Sequence, residues 1–221
     1  MPPAEASRRV LCSLGAGPQR RLLALARPTF RAYADRHGYA LDLRTEVLDG
    51  SRPAPWSKVV LLRRLLADHD EALWIDADAL VVNPSRDLAD EVPPHRFLAL
   101  VEHRYGQALK PNTGVMLIRA GETASAFLDE LWNATDLIEH RWWENAAVLR
   151  LLGYGLDPPR LERPTPFFDR THFLGTEWNS IHDDPSDAPR IRHYPGWSLK
   201  TRFALMALER VRMALHRRSV H

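Results

Sequence analysis

Two hydrophobic periods alternate along the chain. Residues 10–14 form a short apolar run that Gly15 and Pro18 close, which predicts a strand and a break. Residues 19–37 then place Leu22, Leu23, Ala26, Phe30, Tyr33 and Ala34 on one helical face, with Gly38 as the C-cap. Residues 39–47 return to alternation through Ala40, Leu41 and Leu43 and predict a second strand. A turn-rich loop follows over 49–55. Ser57 is the expected N-cap of a helix running to about His69, with Val59, Leu62, Leu65 and Leu66 on one face. Residues 72–75 read as a buried strand ending in Asp76-Ala77-Asp78. Further strands are expected at 97–102 and 115–119, and helices at 124–135 and 144–152. Residues 158–195 are rich in Pro, Asp and His and lack a period, which predicts a long irregular, functional loop. Residues 199–218 read as a basic helix carrying Phe203, Met206, Leu208, Val211 and Leu215.

Strands alternating with helices, without internal repeats or a long linker, predict an α/β fold: a mixed, mainly parallel sheet flanked by helices in a single domain. That domain is expected over 8–200. The basic helix, 201–221, is packed on it or peripheral to it. A chain of 221 residues suits one domain with a sizeable core. Its 45% hydrophobic and 26% charged residues exclude a disordered or fibrous architecture. The single cysteine, Cys12, excludes a disulfide framework and a Cys-cluster zinc site. No apolar run reaches the ~18 residues of a membrane span. Residues 1–9 lack the apolar stretch of a secretory signal, so a cytoplasmic location is expected. The basic amphipathic helix leaves open peripheral contact with the inner membrane face. A net charge of +2 argues against nucleic acid as a partner. Lysine occurs only at 58, 110 and 200, so arginine supplies 27 of the 30 Lys and Arg residues. With abundant Ala, Leu and Pro, this reads as the composition of a GC-rich bacterial genome rather than as a phosphate site.

Four segments can carry chemistry. In Leu73-Trp74-Ile75-Asp76-Ala77-Asp78 an apolar strand delivers two carboxylates at its C-terminal end. Ligands of open α/β sheets bind outside the carboxyl ends of strands. Two carboxylates there repel unless a cation or a proton lies between them, and a hard ion such as Mn²⁺ or Mg²⁺ suits oxygen ligands. A solvated Asp pair in a turn is the other reading of the same residues. In Lys110-Pro111-Asn112-Thr113-Gly114, Gly114 allows close backbone approach and Asn112 offers a donor and an acceptor to a hydroxylated ligand. In His193-Tyr194-Pro195-Gly196-Trp197-Ser198-Leu199-Lys200, His193 can ligate a metal and Lys200 can neutralise phosphate. In Trp142-Trp143-Glu144-Asn145 a carboxylate and an amide open a helix, and the two indoles suit either a core or a sugar-stacking surface.

In this order the segments resemble a GT-A fold nucleotide-sugar glycosyltransferase. They are most similar to the retaining galactosyl/mannosyl/xylosyltransferase family, which includes yeast α-1,2-galactosyltransferase and plant xyloglucan xylosyltransferases. Trp56-Ser57-Lys58, Trp74 to Ala79, Asn112-Thr113-Gly114, Trp143 to Ala147 and His193-x-x-Gly196 carry the resemblance. It implies a Rossmann-like GT-A domain. Asp76, Asp78 and His193 would be metal ligands. Lys58 and Lys200 would face the diphosphate, with Asn112, Gly114 and Gly196 lining the donor site. Glu144 and Asn145 would be catalytic, below the anomeric carbon. The family pattern there is Asp-Gln, so the chain departs from it at both positions.

The expected activity is metal-dependent transfer of a sugar from a nucleotide-diphosphate sugar, UDP first and GDP second, to an acceptor hydroxyl, with retention. The acceptor is a glycan, a lipid-linked sugar or a small molecule. Two rivals stand beside it. Asp76-x-Asp78 after an apolar strand also resembles the haloacid-dehalogenase-like phosphatases, with Asp183-Asp184 as their distal acidic pair. The Glu144-Asn145 departure also allows a non-catalytic protein of the same fold that binds nucleotide or a partner.

Overall fold

The computed structural model describes residues 8–219. The elements run β1 (Arg9–Leu14), α1 (Arg20–His37), β2 (Ala40–Arg44), α2 (Ser57–Leu65), β3 (Glu71–Ile75), β4 (Ala79–Val81), β5 (Leu98–Tyr105) and β6 (Ala108–Arg119). They continue with α3 (Glu122–Asn133), α4 (Trp143–Leu152), β7 (Tyr154–Leu156), β8 (Pro159–Leu161), α5 (Pro166–Asp169), β9 (Thr171–Leu174), β10 (Ile191–His193) and α6 (Leu199–Ser219). Six strands form one sheet in the order β2-β1-β3-β6-β5-β9. Pairs β1–β2, β1–β3 and β5–β9 are parallel, while β6 runs antiparallel to both neighbours. The expected mixed, mainly parallel α/β sheet is therefore present.

The period-two pattern of the strands divides the core. Val10, Cys12, Ala72, Trp74, Leu98, Leu100, Met116 and Ile118 face one apolar layer, which α2, α3 and α4 complete. Leu11, Leu73, Ile75, Ala99, Val101, Val115 and Leu117 face the other, against α1. Each of the Val, Leu, Ile and Met side chains among them contributes roughly 1.5–3 kcal/mol by leaving water, so a one-residue slip of any strand would forfeit several at once. Helix α1 ends at Gly38, whose φ of 73° puts it in the left-handed region that favours glycine.

Several expected boundaries move. Ser57 is the first residue of α2 rather than its N-cap, and its hydroxyl instead accepts from the Leu48 N–H at 3.0 Å. The same helix stops at Leu65, after which Ala67 and Asp68 turn back on Arg64 and Leu65 through i→i+3 bonds and the His69 ring lies 2.9 Å from the Leu65 carbonyl. Residues 158–195 are not an irregular loop. They hold β9, which extends the main sheet beside β5, and β10, which pairs antiparallel with β4. These strands have four and three residues, too short to display a period. Helix α6 packs on α1 and buries Met206 completely, while Phe203, Leu208, Val211 and Leu215 remain exposed. No described helix is long and apolar enough to cross a membrane.

The end of the sheet opposite the C-termini of β1 and β3 is clamped by charge. Glu71 accepts from Arg9 at 3.1 Å and from Arg119 at 2.9 Å, tying β1, β3 and β6 together. Arg9 also meets Asp87 at 2.6 Å, and Tyr39 and Tyr33 donate to the same carboxylate at 2.8 and 3.1 Å. Burial opposes ionisation of Asp87, but Arg9 and Tyr39 hold its carboxyl below the ordinary value of 3.8. A depressed folded pKa means stability that is present above the unfolded value and lost as pH falls through the folded one. Asp87→Asn is therefore expected to cost about 2 kcal/mol at pH 7. Urea melts at several pH values should show the deficit shrinking below about pH 4. A deficit that stays constant from pH 7 to pH 3 would contradict this assignment.

Candidate functional site

The opposite end of the sheet holds the expected motifs. Asp76, Ala77 and Asp78 form the tight turn from β3 to β4, closed by the Ala79 N–H to the Asp76 carbonyl at 3.0 Å. Because β4 pairs with β10, His193 falls opposite Ala79, beside Asp78. His193 Nε2 lies 3.3 Å from Asp78 Oδ1 and 3.7 Å from Asp76 Oδ2. One ligand atom from each of these three residues lies within 4.8 Å of the others.

Each member is held by neighbours. Asp76 Oδ1 accepts from the Trp74 indole N–H at 2.6 Å and lies 3.3 Å from Lys58 Nζ. Asp78 is buried, and its Oδ2 accepts from Arg202 Nη1 at 2.7 Å. Burial alone would raise the Asp78 carboxyl, yet His193 and Arg202 together hold it well below the usual carboxylate range. His193 Nδ1 lies 2.9 Å from Asn179 Oδ1. Asn179 Nδ2 donates to Asn112 Oδ1 at 3.0 Å, and the same oxygen accepts the Gly114 N–H at 2.8 Å. That backbone N–H can only donate, so it fixes both amide orientations and, through them, the hydrogen on His193 Nδ1. With the hydrogen on Nδ1, the Nε2 lone pair is left facing two carboxylates, an arrangement that a cation between them would stabilise.

An imidazole nitrogen whose other nitrogen is tied by an amide, facing two carboxylate oxygens, fits a divalent ion such as Mn²⁺ or Mg²⁺. Gly114 shows how closely the site is built. A Cβ there would fall 2.2 Å from His193 Cε1 and 2.8 Å from Asn112 Oδ1. Only glycine leaves room for the ring.

The backbone around Gly114 leaves the β5–β6 ladder. Leu100 pairs with Met116 but Val101 pairs with Asn112, so Thr113, Gly114 and Val115 bulge away from β5. The polar groups of the first two are satisfied elsewhere. The Thr113 N–H donates to Asn145 Oδ1 at 2.8 Å, and the Thr113 carbonyl accepts from Lys58 at 3.1 Å. Gly114 donates to Asn112, and its carbonyl accepts the Asp76 N–H at 2.7 Å. Side chains from α2 and α4 thus replace a missing strand partner.

A cavity of about 850 Å³ opens here, lined at one end by Leu14, Ala16 and Gln19 and at the other by the β5–β6 hairpin. Asp76, Asp78, Lys58, Asn112, Gly114, Glu144, Asn145, His193 and Gly196 all line it. Three of the expected residues differ from their expected surroundings. Lys58 is buried and donates to Glu144 at 2.7 Å, a contact that would occupy the cation expected to face a diphosphate. Burial would lower the Lys58 ammonium, but Asp76 and Glu144 raise it, so it stays charged. Asn145 spends its carbonyl oxygen on the bulge. Lys200 is exposed and off the cavity lining, and Arg202, two residues along α6, reaches Asp78 instead. The Asp183-Asp184 pair does not join the triad: Asp184 accepts the Arg104 N–H at 3.1 Å and approaches His103 at 3.4 Å.

Sequence reasoning missed Asn179, Arg202 and His103. Arg202 belongs to a helix whose arginines read as a solvated face. Asn179 carries no local signal, since its role depends on contacts to residues 67 and 14 positions away. His103 is buried, and burial pushes its imidazole down to about 4. It lines the cavity, and its Nε2 has no partner among the described residues.

Comparison with known proteins agrees with the resemblance carried by the motifs. Residues 29–108 match the model of the galactosyl transferase GMA12/MNN10 family. An uncharacterized alpha-1,2-galactosyltransferase of Schizosaccharomyces pombe is 33% identical over 79 residues, covering 31% of this chain and 20% of that protein. Xyloglucan 6-xylosyltransferase 2 of Arabidopsis thaliana is 30% identical over 109 residues, covering 44% of this chain and 23% of that protein. The chain thus spans less than a quarter of the length of these relatives. Among solved structures, a glycosyltransferase involved in glycosylation of the major capsid of PBCV-1 superposes with a TM-score of 0.67 at 16% identity, over 90% of this chain and 99% of that one. The galactosyltransferase LgtC superposes with a TM-score of 0.60 at 12% identity, over 89% and 94%. The chain has the GT-A fold of these glycosyltransferases. The match to the family model covers Lys58, Asp76 and Asp78 and ends before Asn112.

Gly114→Ala and Asn179→Ala are each expected to weaken Mn²⁺ binding at least about tenfold by displacing or freeing His193. Titration followed by the EPR signal of free Mn²⁺ reads this directly. Wild-type affinity in both folded variants would remove His193 from the ligand set.

Proposed function

We propose that the chain is a metal-dependent glycosyltransferase that moves a sugar from a nucleotide-diphosphate sugar to an acceptor hydroxyl. The observation that carries this reading is the Asp76–Asp78–His193 ligand set at the mouth of the parallel strands, inside a cavity large enough for a sugar nucleotide. UDP is the first candidate for the carrier and GDP the second. When bound, Mn²⁺ or Mg²⁺ would offset the charge of the diphosphate as it leaves. Asp76, Asp78 and His193 would hold the ion. Arg202 would keep Asp78 ionised and aimed, and the cavity end at Leu14, Ala16 and Gln19 would take the nucleoside.

Retention suits the arrangement of Glu144. Its carboxylate accepts from Lys58 at 2.7 Å and from the Thr113 hydroxyl at 3.3 Å, buried behind the bulge. A carboxylate so committed is a poor nucleophile toward the anomeric carbon. Same-face transfer needs only positioning. The acceptor oxygen bonds to the anomeric carbon, the bond from that carbon to the diphosphate oxygen breaks, and the acceptor proton passes to the departing phosphate. Glu144 and Asn145 act here by placing Lys58 and the 112–114 backbone around the reacting sugar. The exchange of an Asp-Gln pair for Glu-Asn keeps one charge and one amide for that work. The phosphatase reading is not favoured, because the acidic partner it requires bonds to β5.

A ligand that binds only the native state raises the melting temperature. UDP with Mn²⁺ is expected to stabilise the wild type by several degrees, with GDP weaker, and neither should stabilise Asp78→Asn. UDP-sugar turnover, as transfer or slow hydrolysis, should fall at least about a hundredfold in Asp78→Asn. Stabilisation by no nucleotide, or stabilisation independent of metal and of Asp78, would contradict this reading.

A further inference from the structure

At the triad end of the cavity the charges are paired, Asp76 with Lys58 and Asp78 with Arg202. At the hairpin end Asp183 lines the cavity and Asp184 accepts the Arg104 N–H, but Lys110 and Arg141 pair with no carboxylate among the described residues. Lys110, on β6, holds its ammonium 4.3 Å from the centroid of the Trp142 ring and 5.0 Å from that of Tyr105. The Arg141 guanidinium lies 4.4 Å from the same indole. Tyr105 and Trp142 meet edge-on at 6.0 Å. Lys110 is half-buried, and its ammonium is pushed down by that burial and then by Arg141. Two like charges are thus held together against one ring beside an open cavity, an arrangement that an anion would stabilise.

The adjoining residue adds an apolar platform. Trp143 has a φ of 44°, in the left-handed region that a bulky side chain seldom adopts. Such strain persists where the surroundings hold it and clusters at ligand sites. The strained residue lines the cavity and is 41% exposed. An exposed indole at a carbohydrate cavity gives a sugar ring a face to stack on.

Resting on the donor-site reading above, we infer that the hairpin end is the acceptor subsite and that it takes an anionic sugar. The ring would lie against Trp143, with its carboxylate or phosphate at Lys110 and Arg141. The donor's own diphosphate is the rival occupant of these cations. Lys110 pairs with His103 in the regular part of the hairpin, beyond the bulge that carries Gly114 to the triad. Neither Lys110 nor Arg141 forms an ion pair with Asp76 or Asp78 among the described residues, whereas Lys58 and Arg202 do.

The test is a set of binding titrations on the full chain with UDP and Mn²⁺ present. Cellotriose is the neutral probe, trigalacturonate the carboxylate probe and glucose 6-phosphate the phosphate probe. Wild type is compared with the Lys110→Gln/Arg141→Gln double variant and with Trp143→Ala. At least one anionic probe should bind wild type roughly five-fold tighter than the neutral one, with the preference weakened by added salt. The preference should vanish in the double variant while UDP–Mn²⁺ affinity stays unchanged. Trp143→Ala should weaken every sugar that binds. No anionic preference in the wild type would overturn the proposal. A fall in UDP–Mn²⁺ affinity in the double variant would also overturn it and return the cations to the donor. Failure of the wild type to bind UDP–Mn²⁺ would instead count against the donor-site reading, and the sugar titrations repeated without nucleotide would still decide for or against the anion site.

Discussion

Asp76 and Asp78 stand at the end of a fully buried strand, and their mutual repulsion is the constraint around which the neighbouring structure is arranged. Arg202 offsets the charge of Asp78 from one side, and Lys58 with the Trp74 indole offsets that of Asp76 from the other. His193 faces both. Each of these groups comes from a different part of the chain, so the site forms only when α2, β3, β10 and α6 are all in place. The three-residue ribbon of β4 and β10 does most of this, because its register alone puts His193 opposite Ala79.

The bulge in β6 is the second consequence. Taking Thr113 and Gly114 out of the β5 ladder lets the Gly114 carbonyl receive the Asp76 N–H, and it brings Asn112 under His193 through Asn179. The bonds lost with β5 are replaced by Asn145 and Lys58. Glu144 then completes the charge balance of Lys58. The Glu-Asn pair is therefore explained by what it holds: a carboxylate for a buried ammonium and an amide for an orphaned backbone N–H. The clamp of Arg9, Glu71, Arg119 and Asp87 lies at the far end of the sheet, where stability can be built without crowding the cavity.

Much of this was legible in the sequence because it is local. A strand of buried residues ending in two aspartates announces its own exit point, and Gly38 marks its helix end by conformation. Asn112, Gly114 and His193 were visible as residue types with suitable chemistry. The remainder depends on contacts between distant segments. Nothing near Asn179 distinguishes it from a turn asparagine, and its partners are set by tertiary packing. Arg202 looked like one more base on a basic helix, while Lys200 looked like the phosphate ligand. On a helix, two positions change the direction of a side chain by more than half a turn, which is enough to exchange cavity for solvent. Residues 158–195 misled for a related reason, since strands of three or four residues cannot show a period.

In the proposed function, Asp76, Asp78 and His193 together would hold a divalent ion beneath a nucleotide diphosphate. Pulsed EPR of Mn²⁺ bound to the protein with UDP tests it most directly, because it detects a coordinated imidazole nitrogen and the phosphorus of the nucleotide on the same ion. The account predicts both signals in the wild type, with the nitrogen signal alone lost in His193→Gln. Manganese bound with no nitrogen signal, or with a nitrogen signal that survives that substitution, would contradict it.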